Sequence, residues 1–230
     1  MTGKIDDGQR KAARVVGLAY LLALVPAIFS EFYVRGSLIS DSAARTALGI
    51  VAHERLFRLG IASNLAVFAI DIALITALYL VLKPVGRGVA LAAAAWGVIE
   101  TGILVTATLS DLDVLRLLGG AENLRAFGAD RLQALAMVSV GAHGAAYNVG
   151  LVFSGLRGTA FCSLWLRSGY IPKALALWGV LASVLMGACA LSFIIAPELV
   201  SLVPVAVYGG PIFFFELVMG FWLLLRGLRP

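Results

Sequence analysis

The chain alternates between long apolar stretches and short polar connections. Val15–Ser30, Leu59–Leu82, Gly88–Ser110, Leu132–Trp165, Ala174–Ala196 and Leu199–Leu225 each reach or approach the ~20 residues that a helix needs to cross a bilayer. None of these blocks alternates polar and apolar residues in segments of about ten, as the strands of a membrane barrel would. The pattern predicts an all-α, polytopic membrane protein with six transmembrane helices. Almost no chain is left over, so residues 1–230 are read as a single six-span transmembrane domain. The first block follows Lys4, Arg10, Lys11 and Arg14, the kind of start a signal peptide has. Its apolar run is long for that role and no A-x-A pattern follows Ser30, so it counts as the first span.

The connections differ in kind. "LKPVGRG" and "LRSGYIPK" read as tight reversals, with Gly169 suited to a left-handed helix cap and Pro172 to the first turn of the next helix. The other connections are long enough for short interfacial helices. Asp41 is placed to cap "SAARTALGIVA", and Asp130 with Gln133 resembles a capping box before the fourth span.

Composition supports the membrane reading. The chain is 61% hydrophobic and 13% charged, with a mean hydropathy of +0.97; soluble domains carry about twice that charge fraction. A net charge of +5 could suggest a nucleic-acid partner, but its distribution argues for topology instead. The termini and even-numbered loops carry Lys4, Arg10, Lys11, Arg14, Lys83, Arg87, Arg167, Lys173, Arg226 and Arg229 against Asp6 and Asp7, for +8. In the odd-numbered loops Arg35, Arg45, Arg55, Arg58, Arg116, Arg125 and Arg131 are cancelled by Asp41, Glu54, Asp111, Asp113, Glu122, Asp130 and Glu198. By the positive-inside rule both termini are cytoplasmic, and no nucleic-acid partner is expected. Cys162 and Cys189 lie within spans, match no metal or redox spacing and read as apolar fillers.

What remains is charge inside the spans: Arg157 against Glu31, Asp71, Glu100 and Glu216. A central charge costs about 2.5–3.5 kcal/mol on insertion scales, so such residues face the bundle interior and mark candidate functional sites. At ~1.5 Å of rise per residue, Asp71, Glu100, Arg157 and Glu216 all lie about 15–20 Å from the cytoplasmic basic edge. One arginine can neutralise one of the three acids. The other two must hold protons, or have a cation between them. Equal depth pairs Arg157 with Glu216 and leaves Glu100 as the protonated acid. Nearer the outside come Glu31, Arg35, Arg58, Asn64, His143, Tyr147 and Asn148, with Glu31 and Arg35 in the favourable i, i+4 order. Of these, Glu31, Arg58, His143 and Asn148 are the candidates for an outer gate or second half-site.

The fourth span carries most of this information. His143, Tyr147, Gly150, Ser154 and Arg157 fall within ~80° of helical arc. Ala142, Ala146, Gly150, Ser154, Gly158 and Cys162 form a ridge of small residues every four positions, which permits close helix approach. No phosphate-cradling glycine loop, G-x-S-x-G or H-E-x-x-H occurs. With two histidines a three-histidine zinc site is impossible, and no metal is assigned. "ALALWGV" in the fifth span echoes "ALAAAAWGV" in the third, as a worn repeat of hairpins would.

Several stretches in order, "SEFYVRGSLI", "LFRLGIASNL", "LYLVLKPV", "GLVFSGL" and "LWLRSGYIPKALA", resemble a bacterial family of small membrane proteins, domain of unknown function 4386. The resemblance covers about Val15 to Leu228, and its pattern includes Glu31, Arg35, Arg58, Asp71, Lys83, His143, Arg167, Gly169 and Pro172. The family's histidine helix reads leucine–histidine–aspartate where this chain has Ala142, His143 and Gly144. A metal reading that leans on that aspartate does not carry over. The resemblance implies six spans and a bacterial inner membrane, and it implies no activity.

The functional expectation is therefore a multi-pass inner-membrane protein that binds or transports a small molecule, cation or proton. Its polar intramembrane site comprises Asp71, Glu100, Arg157 and Glu216, with Glu31, Arg58, His143 and Asn148. The alternatives are a membrane-embedded enzyme acting on lipid, with His143 as base or metal ligand, and a non-catalytic membrane partner or stress sensor. The sequence names no cofactor. Its expected partners are the lipid bilayer, a small ligand, and another copy of itself or a second membrane chain.

Overall fold

The computed structural model describes residues 5–229, so Lys4 of the topology argument lies outside the described residues. Among the described residues the regular structure is helical throughout, with no strand. We number the helices α1 (Asp7–Leu38), α2 (Ala43–Ala52), α3 (Glu54–Leu118), α4 (Ala121–Phe127), α5 (Ala129–Ser168), α6 (Lys173–Ile195), α7 (Leu199–Leu202), α8 (Val205–Tyr208) and α9 (Gly210–Leu225). Four of them, α1, α3, α5 and α6, are long and apolar enough to cross a membrane.

The 65-residue α3 contains the second and third predicted spans in one run. Its geometry breaks at Gly86 (φ −172°, ψ 87°), two residues after Pro84, which lacks the N–H that a continuous ladder needs. Residues equidistant from the break are neighbours. Gly97 packs against Ile75, and Val114 and Leu115 share a core with Phe57 and Ile61. The arms 54–85 and 87–118 therefore form an antiparallel hairpin. Gly169 adopts the left-handed conformation expected of it (φ +70°) and reverses the chain between α5 and α6.

Other expectations needed correction. The sixth apolar block does not form one helix. Pro204 and Gly209 flank single-turn α8, and α9 keeps only 16 residues, or ~24 Å against a hydrocarbon core of ~30 Å. The outer helix α2 is capped by Ser42, whose hydroxyl accepts the Arg45 N–H, and not by Asp41. Asp130 lies inside the first turn of α5, where its charge suits the positive helix end, because the helix starts earlier than the polar pattern suggested.

α1 carries two features the pattern did not reveal. Asp6 and Gln9 form a reciprocal capping box: the Gln9 N–H donates to Asp6 Oδ1 at 2.6 Å, and the Asp6 N–H donates to Gln9 Oε1 at 3.2 Å. The Gln9 amide also donates to the Val81 carbonyl, tying α1 to the α3 hairpin. Further along, Ile28–Arg35 widens into a π-helix just after Pro26. Proline removes a ladder N–H and crowds the preceding turn, a recognised cause of such distortion.

The chain packs as two compact units. The first comprises the described residues to Leu24, Ala69–Gly102 and the described residues from Asn148 onward. Its core joins Val16 and Tyr20 of α1, Leu78 and Val81 of α3, Phe161 and Trp165 of α5, and Phe215 and Met219 of α9. Glycines set its closest approaches. A Cβ on Gly155 would stand 2.6 Å from the Gly187 backbone, and one on Gly17 would stand 2.9 Å from the Gly220 carbonyl. On the predicted small-residue ridge Gly150, Ser154 and Cys162 are buried, whereas Ala142 is exposed. The second unit comprises Val25–Phe68 and Ile103–Tyr147, with Val34, Ile50, Phe57, Val114 and Val140 in its core. Leu22, Val25, Leu91, Val98, Leu181 and Ile195 stand exposed along the long helices. Such side chains are stable facing lipid and would be a liability in water.

Candidate functional site

Each unit buries one polar cluster. In the first, Arg157 of α5 reaches the second arm of α3. Its Nε lies 2.8 Å from Glu100 Oε2, and its Nη2 donates to Glu100 Oε1 at 3.2 Å and to Ser154 Oγ at 3.4 Å. Both ends of the pair are shielded, with 12% and 6% of the side chains exposed. Gly97 makes this possible. A Cβ there would stand 2.7 Å from both Arg157 Cδ and Ile75 Cδ1, so only a glycine lets the arginine stem lie against the helix.

Asp71 and Glu216 place their negative charge near the same guanidinium, yet neither acid is in an ion pair among the described residues. The pairing expected from depth is therefore corrected: Arg157 pairs with Glu100 and not with Glu216. Depth sets position along the membrane normal, but the direction in which each side chain leaves its helix decides which groups meet. Glu100 belongs to the buried stripe of α3 that runs through Ala93, Gly97, Leu104 and Ala107, and that stripe faces Arg157.

Beside the pair lies a small cavity of about 20 Å³, bordered by Tyr20, Ser154, Arg157, Ser183 and Glu216 on its polar side. That is room for one water, which needs ~10–15 Å³ and a few polar neighbours. Ser183 Oγ is completely buried, beside the Cys162 thiol.

The cluster of the second unit is more closed. Arg35 donates through Nη1 to Asp111 Oδ1 at 2.7 Å, and its Nε lies 3.6 Å from Glu31 Oε2. Asn64 donates to Glu31 Oε1 at 2.8 Å. His143 places Nδ1 3.0 Å from Asp111 Oδ2 and 3.2 Å from the Ala107 carbonyl. Both neighbours are acceptors, so Nδ1 carries the proton. Nε2 is buried and lies 3.9 Å from Glu31 Oε2. Tyr147, one turn on, stacks on the imidazole. The arrangement sets the imidazole between two carboxylates, Asp111 at Nδ1 and Glu31 at Nε2.

Asp111 is the residue that sequence reasoning missed, having been counted as a loop acid. It is 2% exposed and holds both Arg35 and His143. The signal was available, because the buried stripe of α3 continues past Ala107 through Asp111 to Val114 and Leu115 at helical spacing. Two predicted site residues are placed elsewhere. Arg58 is 56% exposed and bonds to Glu54 at 2.7 Å. Asn148 falls within the first unit, while Glu31 and His143 belong to the second. Tyr20 and Ser183, which border the cavity, carried no signal in the linear pattern.

Long apolar helices with exposed leucines, and polar side chains turned inward into buried clusters, define a helical membrane protein. The chain belongs to the family described as domain of unknown function DUF4386, whose profile matches residues 15–227. Comparison with curated proteins and with solved structures finds no match.

Proposed function

We propose that the chain is a single-domain, six-span protein of the bacterial inner membrane, with both termini in the cytoplasm. In this reading it binds a proton or small cation at the Arg157 site and couples that binding to movement of a small molecule. The observation that carries the reading is the charge imbalance within the polar cluster of the first unit. One guanidinium faces Glu100, Asp71 and Glu216, and only Glu100 is in an ion pair with it among the described residues. In a low-dielectric interior the remaining carboxylates require a positive partner or a proton. A site that must take up a cation or proton in order to be buried is suited to exchanging one.

The positive-inside distribution supports the topology, with α9 together with the turns before it completing the sixth crossing. Reporter fusions after Arg229 and within 113–130 should fall on opposite sides of the membrane. The activity is tested in liposomes loaded with a pH-sensitive dye. Protein-containing vesicles should dissipate an imposed proton, sodium or potassium gradient faster than empty ones. Glu216→Gln and Asp71→Asn should return that rate to the empty-vesicle level while the protein remains folded. Equal rates with and without protein for all three gradients overturn the reading.

A further inference from the structure

We propose that the adjoining ends of α1 and α9 form a binding site for the phosphate group of an anionic phospholipid. A cavity of about 160 Å³ opens there, bordered by Arg10, Arg14, Arg226, Gly227, Leu228 and the last leucines of α9. It is roughly ten times the ~10–15 Å³ that accommodates one water, which leaves room for a tetrahedral oxyanion.

Arg10 and Arg14 lie one turn apart on α1, a spacing at which like charges repel. Arg226 joins them from just beyond α9, and its position is fixed by the backbone. Gly227 takes a positive φ of +68°, and the N–H groups of Arg226 and Gly227 both return to the Trp222 carbonyl. This left-handed cap sends Leu228 back into the core, where it is 6% exposed, and the Arg229 N–H then bonds the Tyr170 carbonyl. The close approach of Gly17 and Gly220 holds the two helices together above the site.

The three arginines border the cavity together. None is in an ion pair among the described residues, and no acid borders the cavity. Of the acids nearby, Asp6 precedes α1 and is engaged with Gln9, and Asp7 opens α1 without an ion pair among the described residues. Arg229 is occupied elsewhere, its guanidinium 4.9 Å above the Trp222 ring. Arginines bordering one space suit a phosphate, whose oxygens accept paired hydrogen bonds from guanidinium groups. The leucine wall selects the source. A free phosphate would leave those leucines wet, whereas a phospholipid brings its apolar chains directly below its phosphate. Basic pockets between helices at a membrane surface are known to take anionic head groups. The proposal rests on reading α1 and α9 as membrane-crossing helices whose ends lie at the bilayer surface.

The test is thermal unfolding and native mass spectrometry of the full chain in a neutral detergent. Phosphatidylglycerol, phosphatidylcholine or inorganic phosphate is added in separate arms. Phosphatidylglycerol should raise Tm and persist as an adduct well beyond phosphatidylcholine. The double variant Arg14→Gln/Arg226→Gln should weaken that binding by about tenfold or more, with Arg14→Lys/Arg226→Lys retaining part of it. Arg87→Gln, an exposed basic change away from the cavity, should bind as the unaltered chain does. Equal protection by both lipids, or full binding by the double glutamine variant, overturns the site. Protection by inorganic phosphate that matches phosphatidylglycerol overturns the lipid as its source. None of these measurements involves transport, so their failure and the failure of the Arg157 reading are separate results.

Discussion

In the second unit Arg35 contacts Glu31 and Asp111, and His143 stands against the same two carboxylates with Asn64 completing the ring. In the first unit Arg157 pairs with Glu100 of the same hairpin helix, and among the described residues neither Asp71 nor Glu216 is in an ion pair. Both clusters bury one arginine against one acid of α3. They differ in whether the other carboxylates find partners. Two acids and an arginine reach neutrality when the imidazole beside them takes up one proton. Three acids and one arginine cannot. The comparison separates a cluster whose acids all find partners from one in which two acids are in no ion pair among the described residues. It also moves attention from Glu100, the unusual charge of the third apolar block, to Glu216 and Asp71.

The sharpest way to break this comparison is to remove each arginine. Arg157→Met should destabilise the chain by about 3–5 kcal/mol, the cost of leaving a buried charge unmatched, as read from unfolding in detergent. Arg35→Met should cost less, about 2–3 kcal/mol, because Asn64 and His143 still hold Glu31 and Asp111. The reverse order would mean that the second unit holds the unbalanced cluster.

Packing offers the next test. Gly97→Ala places a methyl group where Arg157 and Ile75 already lie. We expect a loss of about 1–3 kcal/mol from overpacking and a weakened Glu100 pair. An unchanged melting temperature would show that the Arg157 stem can relocate freely.

Glu216→Gln should cost under about 1 kcal/mol, as expected for a residue outside any ion pair, while abolishing gradient-driven activity in liposomes. A loss as large as that of Arg157→Met would place Glu216 in the structural network instead. The smallest effect belongs to Arg58→Gln. Its exposed i, i+4 pair with Glu54 is worth about 0.3–0.5 kcal/mol, and a larger change in unfolding would restore Arg58 to the candidate site.

Much of this was legible in the linear pattern. The long apolar blocks read as helices because a chain buried in lipid must satisfy its backbone internally, and composition alone reports that burial. The left-handed Gly169 was legible because the turn has few solutions. The identities of the buried charges were also legible, since a charge inside an apolar run stands out wherever it occurs. Asp111 was not recognised because it sits among Ser110, Asp113 and Arg116, where a buried acid and a loop acid look alike. Only the continuing helical stripe distinguishes them.

What the sequence by itself determined is the solvent this protein lives in, the approximate extent of most of its helices, and the short set of residues that pay a penalty for being there. The tertiary structure decided which of them meet. It joined Arg157 to Glu100 instead of Glu216, and brought Glu31, Arg35, Asp111 and His143 into one ring. It also sent Arg58 to the surface and broke the last apolar block into three helices. The reason is physical. Hydropathy and depth depend on position along one axis, which the sequence records. Pairing depends on the direction in which each side chain leaves its helix and on which glycines let neighbouring backbones close, and both are fixed only when the helices pack.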